Sequence, residues 1–238
     1  MGIDRHCFNF LRYVKNGKEF GSTITVGRQS MYVSTKLLAS VFANGSEYKK
    51  TYILNHLLRQ EFGASTVVSI DYSDYEGANI IHDMNYPISQ ETYSKFDTVI
   101  DAGSLEHVYN APQALKNCSL ICNKSGGQIV HILPSNNYCS HGFWQFSPEL
   151  FFSLYSKENG YRNTEIFLAD LSDNKYWYKV IKPHSGQRVI VTSKTPVYCL
   201  VRTVLSKQVT GDFSDIQQSD YIDLWSDRSE KDIVKKQN

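Results

Sequence analysis

Acidic and imidazole side chains follow directly after one strand-like run of the sequence. The run Thr98–Ile100 leads into a small-residue turn that carries Asp101, Glu106 and His107. In an open parallel sheet, ligands bind beyond the carboxyl ends of the strands. A carboxylate there can accept hydrogen bonds from a ligand, and an imidazole can take up a proton near neutral pH. The sequence therefore predicts a ligand site at this edge, with Glu106 orienting His107 or raising its pKa.

His141 is the second candidate for acid–base chemistry. It follows the predicted strand Gln128–Leu133 and stands beside Gly142 among aromatic residues. A glycine-flanked histidine in such a loop has no obvious core role, so we favour His141 as a general base. For His107, a structural role at a helix start is as well supported as catalysis. His131 lies within a buried strand pattern and is predicted to be a core residue.

Two further acids end earlier strands. Asp71 follows the run Thr66–Ile70, and Asp83 follows Ala78–His82. Taken singly, each is better explained as a helix cap or a turn former. Placed together at neighbouring strand ends, they favour a ligand site, because a buried carboxylate without donors is costly. Asp97 precedes its strand, so we predict a structural role for it at the opposite end of the sheet.

Strands and helices alternate along the chain. The predicted strands are 22–26, 66–70, 78–82, 98–100, 128–133, 164–169 and 197–204, and the predicted helices are 4–14, 34–42, 47–62, 111–122 and one from Ser147-Pro148 to Asn159-Gly160. Strands separated by helices imply parallel strands joined by right-handed crossovers, and hence a three-layer α/β sheet. The segment 170–195 is predicted to be irregular.

Composition limits the classes of protein and partner. The 238 residues, 41% of them hydrophobic, can bury one large core, and 25 basic against 24 acidic residues give no reason to expect nucleic acid as a partner. No apolar run reaches the roughly 20 residues of a membrane span, and the five cysteines suit reduced thiols. We expect a cytoplasmic protein with an amphipathic helical segment (1–20), one catalytic-type domain (21–206) and a charged tail (207–238).

The order of these motifs resembles the class I S-adenosylmethionine-dependent methyltransferases over about residues 20–205. The resemblance is carried by the acidic strand ends at Asp71 and Asp83, the strand Phe96–Asp101, the Leu105–Val108 turn and the Gly126-Gly127 turn. It implies a Rossmann-like methyltransferase fold with a seven-stranded, mostly parallel sheet whose last strand is antiparallel. Residues 136–149 further resemble a bacterial methyltransferase-like subgroup often placed near glycan or small-molecule biosynthesis.

The resemblance also implies a cofactor, S-adenosylmethionine, and a role for each strand end. Asp71 would accept hydrogen bonds from the two ribose hydroxyls, with Tyr72 against the adenine ring. Asp83 would receive the adenine amino group, and the Met84 amide would donate to a ring nitrogen. The other residues assigned to the cofactor are Gly27, Arg28, Gln29, Asp101 and Gly103.

The turn after the first strand departs from the pattern of the family. It reads Gly27-Arg28-Gln29, with one glycine where relatives carry several that let the backbone approach the cofactor. In one interpretation Gly27 is the close-approach glycine and Gln29 or Arg28 bonds the cofactor's carboxylate. In the other, Arg28 forms a surface ion pair and the site binds no cofactor. We favour the first, since the acidic strand ends are intact.

The predicted function is transfer of a methyl group to oxygen, and less readily to nitrogen, of a small molecule or sugar-containing intermediate. A non-catalytic methyltransferase-like binding subunit is the main alternative. A dinucleotide-dependent oxidoreductase has little support, because the Gly27 turn lacks the further glycines of that class. Asp101 with Asn136 or Asn137 could bind Mg²⁺, but adjacent asparagines after a strand are ordinary turn formers, so no metal is predicted.

Overall fold

The computed structural model describes residues 2–42, 53–183, 187–207, 213, 216–222 and 224–225. The strands are β1 (Gly2–Ile3), β2 (Gly21–Val26), β3 (Ser30–Met31), β4 (Ala64–Asp71), β5 (Ile80–Ile81), β6 (Thr98–Ala102), β7 (Gln128–Asn136), β8 (Tyr161–Asp170), β9 (Tyr178–Val180) and β10 (Val197–Leu205). The helices are α1 (Arg5–Gly17), α2 (Thr35–Val41), α3 (Ile53–Glu61), α4 (Ala111–Ile121) and α5 (Pro148–Leu154). The first part of the helix predicted over 47–62, and most of the tail, lie outside these residues.

The main sheet has the strand order β5-β4-β2-β6-β7-β10-β8-β9. Neighbouring strands are parallel from β5 to β7, while β10 runs antiparallel to both β7 and β8. This confirms the predicted seven-stranded sheet with an antiparallel last strand. An eighth strand, β9, pairs antiparallel with β8 inside the segment predicted to be irregular. Its residues are half-exposed at a sheet edge, so they carry little of the apolar alternation that identifies a strand.

Helices cover both faces of the sheet and give it two apolar cores. Along β6, Val99 belongs to the core under α4 and α5, and the next residue, Ile100, to the core under α1, α2 and α3. This alternation is the two-residue period of a strand buried on both faces. Helix α1 contributes Phe8 and Phe10 to the second core, both fully buried. The amphipathic N-terminal segment therefore packs on the sheet and shares its core.

Two elements are shorter than predicted, each because an asparagine side chain replaces a backbone partner. Helix α5 starts as predicted, with Ser147 as its cap, but it ends at Leu154, where Asn159 Nδ2 donates to the carbonyls of Ser153 and Leu154. Strand β5 has two residues, since Asn79 Oδ1 accepts the amide of Ser69 in place of a ladder bond. Among the described residues, no helix has the length and apolar character needed to cross a membrane.

Candidate active site

Strands β2 and β6 are neighbours in the sheet. The connection after β2 leads to β4 on one side and the connection after β6 leads to β7 on the other, so the carboxyl ends of β2 and β6 form the switch point of the sheet. Gly27 follows β2 with φ +75°, and Gly103 follows β6 with φ +83°. Both conformations lie in the left-handed region, which glycine adopts without a steric penalty. Ligands of open α/β sheets bind at such a switch point. The glycines predicted from the sequence therefore lie on either side of the expected crevice.

Asp71 ties the Gly27 turn to the neighbouring strand. Its Oδ2 accepts the Arg28 amide at 2.9 Å, and its Oδ1 accepts the Tyr72 amide at 2.7 Å. An ionised carboxylate has about four acceptor positions, so this carboxylate keeps capacity for ligand hydroxyls. Tyr72 stands beside it with 73% of its surface exposed. The Arg28 guanidinium donates to the Gly77 carbonyl at 3.0 Å rather than forming the surface ion pair considered above.

Gln29 and Ser104 bridge the crevice above Gly27. Gln29 Nε2 donates to the Val26 carbonyl at 2.9 Å and to Ser104 Oγ at 3.1 Å, and Ser104 Oγ donates to the same carbonyl at 2.6 Å. A Cβ atom on Gly27 would lie 2.5 Å from Ser104 Oγ. The amide oxygen of Gln29 is buried and has no hydrogen-bond partner among the described residues. The bridge therefore leaves one acceptor unsatisfied at the switch point.

Asp83 and Met84 form a compact turn beyond β5. Asp83 Oδ1 accepts both the backbone amide of Asn85, at 2.9 Å, and its side-chain amide, at 2.7 Å. The Met84 side chain is buried in the core, and its carbonyl accepts Asn117 Nδ2 at 3.3 Å. The turn is thus held by hydrogen bonds on both sides, and the roles of these two residues toward an adenine ring remain predictions.

Asp101 lies deeper than its assignment to the cofactor implied. It is fully buried, accepts the Ser104 amide at 3.0 Å and contacts His131 Nδ1 at 2.9 Å. His131 Nε2 contacts the Tyr155 hydroxyl at 2.6 Å. Acid, imidazole and hydroxyl are aligned as in a catalytic triad, but the His131 and Asp101 side chains have no exposed surface. The network holds the turn after β6 in place, and His131 is a core residue as predicted.

A cavity of about 250 Å³ opens at the same edge, between the ends of β6 and β7, the start of β10 and the N-terminal segment. Its walls include Gly103, Glu106, His141, Tyr32, Tyr138 and Tyr198. Burial raises the pKa of Tyr138 to about 12, so its hydroxyl is neutral at physiological pH. Because Gly103 lines the cavity and the next residue, Ser104, contacts Gly27, the cavity adjoins the switch-point crevice.

Glu106, His107 and His141 form a cluster at the cavity wall. Glu106 Oε1 lies 3.4 Å from His141 Nε2 and 3.8 Å from His107 Nε2, and the two imidazole rings are 4.8 Å apart between centroids. The Glu106 side chain is 2% exposed, whereas those of His107 and His141 are 41% and 45% exposed. The structure therefore brings both predicted catalytic histidines to one buried carboxyl group.

The loop after β7 creates this cluster by folding back onto the turn after β6. The Glu106 carbonyl accepts the Phe143 amide at 2.7 Å and the Trp144 amide at 3.3 Å. Trp144 Nε1 donates to the Val108 carbonyl at 2.9 Å. The aromatic residues Phe143 and Trp144 thus anchor the loop. Because the loop is held in this position, His141 lies next to Glu106.

Burial controls the charge of the cluster. It raises the pKa of Glu106 to about 8, with the nearby Asp101 carboxylate adding to the effect. In the ligand-free protein Glu106 is therefore mostly neutral at pH 7, so its 3.4 Å contact with His141 is not an ion pair there. Burial, with the charge of His141 as a second cause, lowers the pKa of His107. The raised pKa of Glu106 favours proton exchange near neutral pH, and the lowered pKa of His107 favours its neutral, basic form there.

Several residues of the site were missed by sequence reasoning. Glu106 was considered only as a neighbour of His107, and the cavity tyrosines carried no recognisable pattern. Asp4 and Cys7 line the cavity from the N-terminal segment, for which the sequence predicts only an amphipathic helix. Asp101, weighed above with Asn136 or Asn137 as a magnesium ligand, belongs to the buried network with His131.

The strand order, with β10 antiparallel, is consistent with the predicted Rossmann-like methyltransferase fold. No family profile and no curated protein matches the chain. Among solved structures, a methyltransferase of Thermotoga maritima shares 11% identity over 83% of this chain and 88% of that one, with a TM-score of 0.49. The N-methyltransferase NodS of Bradyrhizobium japonicum shares 12% identity over 84% and 94%, with a TM-score of 0.47. Identities and TM-scores this low say nothing about the activity of this chain.

Proposed function

We propose that the protein is an S-adenosylmethionine-dependent methyltransferase that acts on a small molecule. One observation carries the proposal. The crevice between Gly27 and Ser104, where this fold places its cofactor, adjoins a cavity whose wall carries His141. A methyl donor in the crevice and an acceptor in the cavity would meet at the carboxyl end of β6. Methyl transfer needs this arrangement, because it is an in-line displacement between two bound reactants.

The residues at the crevice fit the cofactor. Asp71 offers the remaining acceptor positions of its carboxylate to the ribose hydroxyls, and Tyr72 offers an exposed ring to adenine. The unsatisfied amide oxygen of Gln29 can accept a hydrogen bond from the ammonium group of the methionine portion. A buried acceptor without a donor is unfavourable in the empty protein, so a ligand that supplies the donor gains affinity there.

The chain's own task is to orient the acceptor and remove its proton. The cofactor, when bound, supplies an electrophilic methyl group on a sulfonium. His141 lines the cavity and is half-exposed, so it can take a proton from an acceptor hydroxyl. Glu106 holds the imidazole on its buried side at 3.4 Å, and His107 is a second base within the same cluster.

The acceptor is proposed to be a hydroxyl-bearing small molecule or sugar-containing intermediate. Three tyrosines at the cavity, Tyr32, Tyr138 and Tyr198, offer rings and hydroxyl groups. Sugar rings bind on such surfaces, because aromatic faces cover their C–H groups while hydroxyl groups exchange hydrogen bonds. A general base favours oxygen over nitrogen as the acceptor, since a neutral amine needs no prior deprotonation.

The bridge of Gln29 and Ser104 favours a second candidate, a non-catalytic binding subunit. The bridge occupies the space above Gly27, and a side chain that stays there would exclude the cofactor. In that case the cavity would bind a ligand without methyl transfer.

Titration calorimetry with S-adenosylhomocysteine separates the two candidates. The enzyme should bind this product analogue with a one-to-one stoichiometry, and Asp71→Ala should weaken the affinity while His56→Ala, at an exposed site on α3, should not. A correctly folded protein that shows no binding at millimolar ligand would exclude the methyltransferase.

A further inference from the structure

Three metal-ligating side chains converge at the cavity wall. One ligand atom from each of Glu106, His107 and His141 lies within 4.8 Å of the other two. The two contacts to Glu106 Oε1 are shorter, at 3.4 Å and 3.8 Å. Ligands bound to one ion at about 2.0–2.1 Å are separated by about 3.0–3.5 Å. The exposed histidine rings therefore need to move by only a fraction of this spacing to share an ion.

The buried carboxyl group supplies an independent observation. Glu106 is 1% exposed, and its Oε2 has no hydrogen-bond partner among the described residues. Such an atom is rare in native proteins, and it points to a missing donor, water or ion. Its surroundings are two imidazole rings and the carboxylate of Asp101, which offer Oε2 no hydrogen bond. A cation between Glu106 and the histidines would satisfy the carboxylate.

We propose that Glu106, His107 and His141 bind one divalent transition-metal ion, such as Zn²⁺, Mn²⁺ or Fe²⁺. Two imidazole nitrogens and one carboxylate oxygen suit these ions, whereas Mg²⁺ and Ca²⁺ prefer oxygen ligands throughout. The two histidines are more than 40% exposed, so the three ligands leave coordination positions open toward the cavity. An open position is the mark of a metal site that binds a substrate or water.

A metal ion at this site would also select the chemical group of the methyl acceptor that binds there. An acceptor hydroxyl can occupy an open position on the ion, and His141 is then a metal ligand instead of a free base. This role in catalysis rests on the proposed function, but metal binding does not, because it needs neither cofactor nor methyl transfer.

The test uses tag-free protein stripped with a chelator. Calorimetry with Zn²⁺ and visible absorption with Co²⁺ should each report one ion per chain. Glu106→Gln and His141→Asn should each weaken binding at least about 100-fold, since even the groups that support a metal ligand are worth about 10–100-fold. His56→Ala should bind as the wild type does, because it removes a histidine that does not line the cavity. Circular dichroism should show that each variant is folded.

Two results would overturn the metal site. One is a folded wild-type protein that binds none of Zn²⁺, Co²⁺ and Mn²⁺; the other is unchanged binding in His141→Asn, an exposed position whose loss should not prevent folding. Zinc that stays bound in both variants would lie elsewhere, for example at the exposed Cys139. Calorimetry with S-adenosylhomocysteine on the metal-free protein tests the methyltransferase separately, so each proposal can fail while the other stands.

Discussion

Gly142 lies directly against the backbone of Glu106. A Cβ atom at Gly142 would be 2.7 Å from the Glu106 carbonyl oxygen, and φ at this glycine is +70°. The same oxygen accepts the amide of Phe143 at 2.7 Å. The position of His141, one residue earlier, therefore depends on a residue that has no side chain.

Gly142→Ala should destabilise the protein by about 2–3 kcal/mol. About 1–2 kcal/mol comes from the left-handed backbone, and the rest from displacing the Glu106 backbone. Gly77→Ala is the matched control, since Gly77 has φ +72° and nothing within 4 Å of its Cβ position. It should cost about 1 kcal/mol. Urea unfolding measures both, and equal costs would show that the contact with Glu106 is not tight.

Gln29→Ala should distinguish an enzyme from a blocked site by the sign of its effect. If the Gln29 amide oxygen accepts the cofactor's ammonium group, removing it should weaken S-adenosylhomocysteine binding about tenfold or more, as expected for a hydrogen bond to a charged group. If the side chain blocks the crevice, the same variant should bind more tightly. Calorimetry at fixed salt and pH gives the answer, and a tighter complex would support the binding-subunit alternative.

His141→Ala should lower methyl transfer by about 100-fold or more, the usual contribution of a general base, while leaving cofactor affinity nearly unchanged. The two quantities separate because His141 lines the cavity and not the Gly27 turn. Asp71→Asn should show the reverse pattern, with weakened cofactor binding as its first effect. Parallel loss of both quantities in His141→Ala would mean that the histidine has been assigned to the wrong part of the site.

Tyr155→Phe should destabilise the fold by about 1–2 kcal/mol. It removes the hydroxyl that contacts His131 Nε2 at 2.6 Å, and this nitrogen is then buried without a partner. The imidazole satisfies both ends of the network when Nδ1 donates to Asp101 and Nε2 accepts from the Tyr155 hydroxyl. Tyr75→Phe, at a residue 91% exposed, should leave the urea midpoint unchanged. An unchanged free energy of unfolding in Tyr155→Phe would mean that the network adds no stability.

Asp97 should make stability fall in acid. Burial acts to raise its pKa, but hydrogen bonds from the Ser22 amide, the Asn123 side chain and the Ser22 hydroxyl outweigh it and lower the pKa below 3.8. Its contribution is therefore complete above the unfolded pKa and disappears as the pH falls through the folded one. Asp97→Asn should be less stable than wild type at pH 7, with a difference that shrinks toward pH 3. Asp74→Asn, at an exposed position, is the control, and a difference independent of pH would contradict the assignment.

The parallel half of the fold was predictable because each of its strands is marked by its own local sequence. Each strand of the parallel half is an apolar run bounded by turn residues, and Asp71 and Asp97 lie at strand ends as the pattern predicts, while β6 continues past Asp101 to Ala102. Strand β9 was not predictable, since its exposed tyrosine and lysine resemble a polar loop. Its pairing with β8 is decided by the neighbouring strand and not by its own sequence.

The candidate site was predictable only in part. Strand order indicates which loops meet at one edge, so Gly27, Asp71 and Gly103 could be assigned. The sequence does not show how far a loop folds back, and His141 reaches Glu106 through hydrogen bonds that Phe143 and Trp144 donate to a backbone carbonyl. Backbone carbonyls are the same in every residue, so no residue type marks them. The buried depth of Asp101 was hidden for a similar reason, because its partner His131 lies on another strand.

The short strand β1 pairs with β3, joining Gly2 and Ile3 to Ser30 and Met31. This pairing places the second residue of the chain among the lining residues of the cavity. Any peptide fused ahead of Gly2 would start beside this cavity and close to Tyr32. Binding and activity measurements therefore call for protein without a peptide added ahead of Gly2.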